Sequence, residues 1–510
     1  MSEQVTFKLN EKDVTVPKGW TVMQAAKREN VSIPHFCWHP KLSVAGVCRF
    51  CMVHVEGARK LEIACNLEAR DGMVVRTDRD EVKEAHKWAL EFHLINHPLD
   101  CPVCDQAGEC GLQDFYMDVG KYESQMSRPK VLKPKAIDLG RELVLDTERC
   151  ILCSRCVRFE EEVTKTNALG IFDRGDRAII GTYGDEKIEH NYQENLVDIC
   201  PVGAFTSKKF RFKQRVWFLK EKSSVCPGCS TGCHIKVHGK PDIRRLFRIK
   251  PEECDEVNGA WMCDQGRTMH QHLNPEYRLN EAMVLDPEAG QSFPGTHGAL
   301  ATLLDKISRT QVDSIALLVS AQYTNEEYVS LFDFFIKGLG VSKVYLWRTE
   351  TEQTDDFDGI LLRGDRNPNT TGLMQILRDY PDVGAKTVMN ELSQCIESRP
   401  EVLITLCPEI PSGFPDLKNQ LQDLSSLPWV SVWGVHHDLL SWEFSHLLPM
   451  KGFIEKNGTF INHAGKEGHL TESFAPMVSE ALSVSEVIEG LKRIDANGPD
   501  GQKGVTDGNH

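Results

Sequence analysis

The sequence predicts a multidomain protein that combines the α+β and α/β classes, and three observations lead to this prediction. The chain has 510 residues, which is enough for about three to five domains of ordinary size. Sixteen of its 18 cysteines lie between Cys37 and Cys263, whereas only Cys395 and Cys407 follow. From about residue 276 onward, short β-branched runs alternate with helical segments, which is typical of an α/β domain. We therefore expect several small cysteine-bearing domains followed by one larger α/β domain.

The composition excludes several classes of function. The chain carries 59 Lys and Arg against 74 Asp and Glu, a net charge of −15 with no strong basic block, so we expect no nucleic-acid partner. No apolar run approaches the roughly 18 residues of a membrane span, and residues 1–10 lack the apolar core of a signal peptide. A soluble, intracellular chain is expected, and in a reducing compartment clustered cysteines favour metal binding over disulfides.

The first cysteine set follows a predicted hairpin over 5–16 and a short predicted helix over 21–29. Two of its cysteines are separated by two residues, which suits chelation of one iron atom, and two single cysteines can complete a two-iron cluster as in plant-type ferredoxins. Ten residues separate the first two cysteines, so the closer plant-type spacing is not met. A tetrahedral zinc site is the alternative. The set consists of Cys37, Cys48, Cys51 and Cys65.

The second set follows a predicted amphipathic helix over 80–95. Three cysteines leave a four-iron cluster one ligand short, and His97 stands at the edge of the same 14-residue window. A single His is usually an ordinary polar residue, but this ligand-rich window favours His97 as the fourth ligand. Replacing a thiolate by a neutral imidazole should raise the cluster's reduction potential. The set consists of His97, Cys101, Cys104 and Cys110. The apolar face predicted for the preceding helix consists of Val82, Ala85, Trp88, Ala89, Phe92 and Ile95.

The third set predicts one cluster on a two-cluster scaffold. Bacterial two-cluster ferredoxins contain C-x2-C-x2-C-x3-C-P twice, and each fourth cysteine serves the other cluster. Here Glu160 stands at the fourth position of the first repeat, and the second repeat has His190, Gln193 and Leu196 in place of cysteines. The ligands that remain are Cys150, Cys153, Cys156 and Cys200.

The fourth set again suits a four-iron cluster, with zinc as the lesser alternative. Cys254 is left over. It could replace Cys263, but the Gly-Arg pair that follows Cys263 allows the compact turn of a ligand loop, so we predict that Cys254 is a structural thiol. The set consists of Cys226, Cys229, Cys233 and Cys263.

The rest of the chain carries simpler patterns. Residues 174–183 indicate a strand and a turn, and residues 129–134 an extended linker. Acidic residues such as Glu160–Glu162 are interpreted as a solvated helix face, and the polar stretch 496–510 as disordered. Strands are predicted over 314–320, 343–347, 402–406 and 429–433, and helices over 326–339 and up to about 491.

Several stretches resemble the large iron–sulfur subunit, called G, of bacterial proton-pumping NADH:quinone oxidoreductases (complex I), with strong similarity over residues 1 to about 275. They are HPLDCPVCDQAGECGLQD, CILCSRCVRFEEEV, CPVGA, and CPGCSTGCHI followed by WMCDQGR. The resemblance implies one [2Fe-2S] cluster on the first set and [4Fe-4S] clusters on the second and third. The fourth set matches an extra [4Fe-4S] cluster of some bacterial members, which is thought to lie off the main electron path.

The resemblance also implies a domain order. It comprises an N-terminal β-grasp [2Fe-2S] ferredoxin domain over 1–78, a helix with a [4Fe-4S] domain of one His and three Cys ligands over 79–135, and a ferredoxin-like [4Fe-4S] domain over 136–218. A small [4Fe-4S] domain of the molybdopterin-oxidoreductase type follows over 219–275, then a shortened molybdopterin-oxidoreductase-like α/β domain over 276–493 and a disordered tail over 494–510.

The α/β domain is expected to hold no molybdopterin. Its segments SAQYTNEE, DGILLRGDRNPNTTG and FIEKNGTFINHAGKEG resemble the molybdopterin-oxidoreductase fold, but residues 276 to 491 are too few to enclose two pterin nucleotides. In molybdenum-active relatives a Lys usually stands at the position of Gln265. Cys395 and Cys407 are predicted to be structural thiols rather than molybdenum ligands.

The resemblance implies an electron-transfer subunit of the complex I peripheral arm, part of an NADH:quinone oxidoreductase and translocase, with no catalytic residue of its own. Its expected partners are the flavin/NADH-binding subunit, a ferredoxin-like two-cluster subunit and other peripheral-arm subunits. The expected location is peripheral, on the cytoplasmic side of the bacterial inner membrane. The same N-terminal module also begins iron-only hydrogenases and NAD-linked formate dehydrogenases, so a cluster-bearing subunit of such a soluble enzyme is the alternative.

Overall fold

The structure is a computed structural model, and it describes residues 3–121, 123, 126–184, 186–286, 288–347, 356–381, 392–410, 416–472, 474 and 476–497. The chain divides into two compact units, Met1–Leu219 and Lys220–His510, which are treated separately below. Among the described residues, no helix is both long and apolar enough to cross a membrane.

A five-stranded mixed sheet begins the first unit, in the order β2-β1-β5-β3-β4. The predicted hairpin is confirmed, because β1 and β2 pair antiparallel from Gln4–Pro17 to Leu9–Lys12. The predicted helix over 21–29 is confirmed as α1, which Thr21 caps through a capping box with Gln24. The elements are β1 Gln4–Leu9, β2 Lys12–Pro17, α1 Val22–Arg28, β3 Met52–Val55, β4 Glu62–Ile63 and β5 Val74–Arg76.

The helix α2 (Asp80–Leu94) confirms the predicted helix, but its predicted apolar face is partly wrong. Trp88 and Phe92 are 47% and 69% exposed. The buried face instead includes His86, whose ring nitrogen Nε2 bonds the Met52 carbonyl at 2.9 Å. The Lys121 ammonium lies over the exposed Trp88 ring in a cation–π contact. The buried residues are Val82, His86, Ala89 and Leu90.

Short elements form the rest of the first unit. Residues 129–134 carry neither helix nor strand, as expected of a linker. The strand and turn predicted over 174–183 are confirmed by β9 and a preceding single turn. Strands β10, β7 and β6 form one sheet, and β8 pairs with β9. The elements are α3 Gly111–Val119, β6 Ile137–Asp138, β7 Leu143–Leu145, α4 Arg155–Glu162, β8 Gly170–Phe172, β9 Ile179–Gly181, α5 Asn195–Ile199 and β10 Phe205–Ser207.

The second unit begins with an antiparallel sheet and a short helix. The sheet has the order β11-β12-β13. The helix α6 is capped at its N-terminus by Cys263, whose sulfur accepts from the Gly266 backbone N–H. The elements are β11 Lys220–Val225, β12 His234–Lys240, β13 Arg245–Pro251 and α6 Asp264–Thr268.

The predicted α/β class of the C-terminal half is confirmed by a seven-stranded sheet in the order β15-β14-β20-β19-β18-β16-β17. The five strands from β20 to β17 run parallel. Helices accompany them, as expected for parallel strands. The elements are β14 Met283–Asp286, β15 Gly290–Ser292, α7 Gly295–Arg309, β16 Ile315–Val319, β17 Lys343–Leu346, α9 Thr370–Leu377, α10 Leu392–Glu397, β18 Val402–Leu406, α11 Leu417–Ser425, β19 Val430–Gly434 and β20 His446–Pro449.

The helices of the second unit follow the predictions with two differences. The predicted helix over 326–339 is α8 (Asn325–Phe332), which continues as a π-helix over Asp333–Gly338. The last helix, α12 (Val484–Asn497), extends beyond residue 491 and includes residues 494–497, which were predicted to belong to the disordered tail over 494–510. Residues 498–510 lie outside the described residues. The hairpin β21 Gly458–Ile461 and β22 Glu467–Leu470 completes this unit.

Candidate metal centres

The four cysteines of the first set meet in one buried group. The thiols of Cys48 and Cys65 donate to the sulfur of Cys37, and Cys65 also bonds Cys51. These contacts lower the pKa of Cys37 and raise that of Cys65. All four side chains are at most 7% exposed. The donor chemistry and the burial fit a small metal–sulfur group.

The cysteines of the second set also come together, but closer to the surface. Cys101 is exposed, Cys104 half-buried and Cys110 buried. The charge of Cys101 affects both of the other thiols, and burial raises the pKa of Cys110 to about 11. The Cys104 sulfur lies against Gly203, where an added Cβ would approach to 2.3 Å. The second set is therefore next to the loop that carries Cys200.

His97 presents a free ring nitrogen in the same region. Its Nδ1 atom is buried and has no hydrogen-bond partner among the described residues. Burial, together with the charges of Lys130 and Arg149, lowers its pKa to about 4, so the ring is neutral near pH 7, which is the metal-binding form. Arg149 also influences the Cys104 thiol. His97 and Cys104 therefore share one neighbour, and an unpartnered neutral imidazole fits a ligand role.

The third set surrounds a single narrow cavity. All four of its cysteines line this cavity, which apolar side chains such as Ile180 and Phe205 close. Burial raises the pKa of Cys150 to about 12 and that of Cys153 to about 11, and the neighbouring thiols add to the effect. Four thiolates around one narrow cavity repel one another unless a cation compensates their charge. The set therefore fits a cationic iron–sulfur group, whose iron would stabilise the thiolates.

The fourth set is buried in the second unit. Its thiols influence one another, and burial raises the pKa of Cys263 to about 12. Neighbouring side chains occupy the space beside Gly228 and Gly266, where any larger residue would carry a Cβ. On Gly266 this Cβ would lie 3.2 Å from the Cys226 sulfur. The Gln265 side chain accepts from Arg366 Nη1 at 3.2 Å.

The three remaining thiols occupy different surroundings. Cys254 is half-buried in a tight turn, where its backbone N–H bonds the Gly259 carbonyl at 2.8 Å. Cys395 and Cys407 belong to the hydrophobic core of the α/β domain, at 0% and 2% exposure. Both surroundings agree with structural thiols.

Two arginines beside the ligands, the buried Arg149 and the half-buried Arg155, were missed by the sequence reasoning. Arg149 precedes Cys150 and bonds the Asp100 carboxylate at 3.0 Å. Arg155 precedes Cys156 and bonds the carbonyls of Trp38 and Ile199. The only sequence signal is an Arg immediately before a candidate ligand, which does not reveal partners more than 40 residues away. Within the described part of the chain, no three His, Cys, Asp or Glu side chains converge as closely as a single metal ion requires.

Four family models match successive parts of the chain. The 2Fe-2S iron-sulfur cluster binding domain matches residues 2–80, and the NADH-ubiquinone oxidoreductase-G iron-sulfur binding region matches residues 87–125. The ferredoxin-like domain of NADH-quinone oxidoreductase subunit 3 matches 140–206, and the molybdopterin oxidoreductase Fe4S4 domain matches 219–275. Over these ranges the chain is similar to the large iron–sulfur subunit of NADH-quinone oxidoreductases. The predicted order of [2Fe-2S] and [4Fe-4S] binding domains is therefore confirmed.

Curated relatives carry the names of this same subunit. The NADH-quinone oxidoreductase G subunit of Streptomyces coelicolor is 39% identical over 288 residues, which are 56% of this chain and 34% of the relative. The mitochondrial NADH dehydrogenase [ubiquinone] iron-sulfur protein 1 of Solanum tuberosum is 36% identical over 335 residues, 65% of this chain and 44% of the relative. The NADH-quinone oxidoreductase G subunit of Rickettsia typhi is 34% identical over 64% of this chain and 48% of the relative. The chain thus spans about a third to a half of the length of these relatives.

One solved structure is similar over the smaller part of the chain. It is the NAD+-reducing [NiFe]-hydrogenase in the H2-reduced state, with 29% identity over 42% of this chain and 91% of that chain. The TM-score is 0.38, which is too low to support an argument about architecture.

Proposed function

We propose that this chain is an electron-transfer subunit of the peripheral arm of respiratory complex I. In this proposal it passes electrons from NADH and FMN in a partner subunit toward quinone, while proton translocation belongs to the whole complex. The observation that carries the proposal is the adjacency of the first three ligand sets within one unit. Arg155 connects the loops of the first and third sets, and the Cys104 sulfur of the second set packs against the Cys200 loop.

The proposed ligands follow the four sets. A [2Fe-2S] cluster is assigned to Cys37, Cys48, Cys51 and Cys65. Three [4Fe-4S] clusters are assigned to His97, Cys101, Cys104 and Cys110; to Cys150, Cys153, Cys156 and Cys200; and to Cys226, Cys229, Cys233 and Cys263. Bound iron–sulfur clusters supply one-electron redox chemistry. The chain's own task is to hold the thiolates, exclude water and fix the separations between the sites.

The proposed route enters near the first set, continues through the third and leaves from the second. The exposure of Cys101 supports an exit at the second set. Leu99 and Val103 beside it are 90% and 60% exposed, and apolar side chains around an exposed ligand suit a docked protein. The partners in this proposal are a flavin/NADH-binding subunit at the entry, a ferredoxin-like two-cluster subunit at the exit and other peripheral-arm subunits.

The domain organisation proposed from the sequence is retained, with boundaries at residues 78, 135, 218 and 275, whereas α12 carries the last domain past the proposed boundary at 493 to Asn497. The α/β domain over 276–493 is proposed to lack molybdopterin and to act as a packing platform for neighbouring subunits. The proposed location is peripheral, on the cytoplasmic side of a bacterial inner membrane, through attachment to the complex.

Metal analysis and co-purification test the proposal together. The full chain, isolated anaerobically from its native membranes after mild solubilisation, should contain about 14 iron atoms, no molybdenum, and flavin-bearing and two-cluster partner subunits. About one molybdenum per chain would instead identify a formate dehydrogenase subunit. Zinc without iron–sulfur absorbance would identify a zinc-stapled scaffold.

A further inference from the structure

One guanidinium connects the backbone segments of two ligand sets. Arg155 Nη2 donates to the Trp38 carbonyl at 2.5 Å, and Nη1 donates to the Ile199 carbonyl at 3.1 Å. Trp38 directly follows Cys37 of the first set, and Ile199 directly precedes Cys200 of the third. A single rigid, planar side chain therefore spans from one ligand loop to the other.

The Arg155 charge lies close to both sets. The side chain lines the cavity of the third set. Its Nε atom is buried without a hydrogen-bond partner among the described residues. Burial lowers the pKa of Arg155, whereas the thiols of Cys153, Cys200 and Cys37 act in the opposite direction. An arginine stays protonated even so, so a fixed positive charge stands between the sets.

A second arginine of the same helix strengthens the docking. Arg158 Nη2 donates to the Cys37 carbonyl at 2.5 Å, and Nη1 bonds the Ser43 carbonyl. The Glu162 carboxylate accepts from the Ser43 backbone N–H at 2.8 Å. The first-set loop is therefore held by one face of α4, and only Arg155 of this group also reaches the third-set loop.

We propose that Arg155 is the positioning residue for electron transfer between the first and third sets, where it fixes their separation and adds a positive charge that raises both reduction potentials. This inference rests on the proposed function. One electron leaves the reduced two-iron site, which is oxidised, and enters the oxidised four-iron site, which is reduced; no bond forms and no proton moves. A nearby cation stabilises the more negative, reduced state of each site, and its effect is large because the surroundings are poorly screened.

Redox titration of the purified complex, followed by electron paramagnetic resonance, tests the role of the charge. In Arg155→Gln, which removes the charge, the ratio of reduced to oxidised site at a fixed potential should fall at least about tenfold for both sites, equivalent to about 59 mV for one electron. Arg155→Lys should keep both potentials close to those of the wild type. The control Arg174→Gln removes an exposed charge from the same unit and should change neither potential.

The same variants test the role in spacing. Lysine cannot span both carbonyls, so Arg155→Lys should weaken the magnetic interaction between the two reduced sites and slow electron transfer between them. If the reduction potentials are unchanged in Arg155→Gln, or if they shift as much in Arg155→Lys as in Arg155→Gln, the Arg155 charge does not set them and this part of the inference is overturned. If Arg155→Gln does not retain its clusters, the test rests on Arg155→Lys alone. Wild-type potentials together with a weakened magnetic interaction between the two reduced sites would support the inference, and any other result would overturn it. Absence of iron–sulfur signals from the wild type would instead refute the proposed function.

Discussion

The Glu160 carboxylate and the His190 ring meet at 3.0 Å in the interior of the ferredoxin-like region. A two-cluster ferredoxin would carry eight cysteines in this pattern, and Glu160 and His190 occupy two of the four positions at which this chain lacks one. Gln193, at a third, bonds the His190 carbonyl. Glu160 is 0% exposed, so its prediction as part of a solvated face is wrong. The carboxylate turns inward because His190, Thr164 and Thr166 all bond it. A polar network thus stands at the second-cluster positions.

Removing the Glu160 carboxylate should destabilise this region strongly. In Glu160→Ala the half-buried His190 ring and two threonine hydroxyls lose their acceptor, and we expect the free energy of unfolding to fall by about 1–3 kcal/mol. Chemical denaturation measures the change. The neighbouring exposed residue provides a matched control, because Glu161→Ala should change the stability by no more than about 0.5 kcal/mol. Equal effects of the two substitutions would contradict a buried network.

Substitution of one thiol at a time should separate ligands from structural cysteines in the second unit. Cys263→Ser is expected to lose about four iron atoms per chain, because one ligand of a four-iron cluster is removed. Cys254→Ser should retain them, since Cys254 lies in a turn of its own. Iron analysis of the purified variants checks both. The reverse result would make Cys254 the ligand.

The close approach of Gly203 to Cys104 should make the second set sensitive to a single methyl group. In Gly203→Ala the new Cβ would stand 2.3 Å from the Cys104 sulfur and 3.0 Å from the Gln106 Cβ, so Cys104 must move and the four-iron signal of this set should be lost. Gly181→Ala is the control, because its nearest neighbour would be 3.7 Å away. Electron paramagnetic resonance and iron content report the outcome. An unaltered spectrum in Gly203→Ala would count against Cys104 as a ligand.

Replacement of His97 by cysteine should lower a reduction potential without loss of iron. The His97→Cys variant exchanges a neutral imidazole for a thiolate, and the added negative charge stabilises the oxidised cluster. His93→Gln is the control, since His93 Nδ1 bonds the Ala89 carbonyl at 2.6 Å and the variant should leave this potential unchanged. A redox titration distinguishes the two. The same potential in His97→Cys and the wild type would argue against ligation by His97.

The α/β domain should lose stability in acid because of His446. Its Nε2 donates to the Ala299 carbonyl at 2.9 Å and its Nδ1 accepts from Ser431 Oγ at 2.7 Å, an arrangement that needs the neutral ring. Burial lowers its pKa to about 4. The unfolded state therefore binds the proton more readily, and as the pH falls from 6.5 to 4 this residue should contribute a loss of about 3 kcal/mol.

Denaturation at several pH values tests the contribution of His446. The slope of stability against pH should flatten in His446→Gln relative to the wild type. The exposed His469 offers the comparison, because His469→Gln should leave the slope unchanged. Parallel slopes in all three proteins would exclude His446 as the source of acid sensitivity.

Local patterns predicted much of the fold, and contacts across long separations explain what they missed. The strand over 402–406 was predicted at its observed bounds, because five consecutive apolar or β-branched residues suit a strand buried on both faces. The face of α2 was misjudged, since a buried histidine bonded to a backbone carbonyl does not register as apolar. Cysteine spacing indicated the ligand sets. Arg155 had no such signal, because its partners lie 117 and 44 positions away.

The hold of α4 on the first-set loop also orders events during protein synthesis. The carbonyl of Cys37 is bonded by a side chain 121 positions later in the chain. At about 5–20 residues per second, the ribosome needs on the order of ten seconds to make this intervening stretch. The first four thiols therefore leave the ribosome before α4, the helix that fixes their loop. A cluster inserted before α4 is made would bind a loop that is not yet held in place. Maturation of the first site should follow, rather than precede, translation of the ferredoxin-like region.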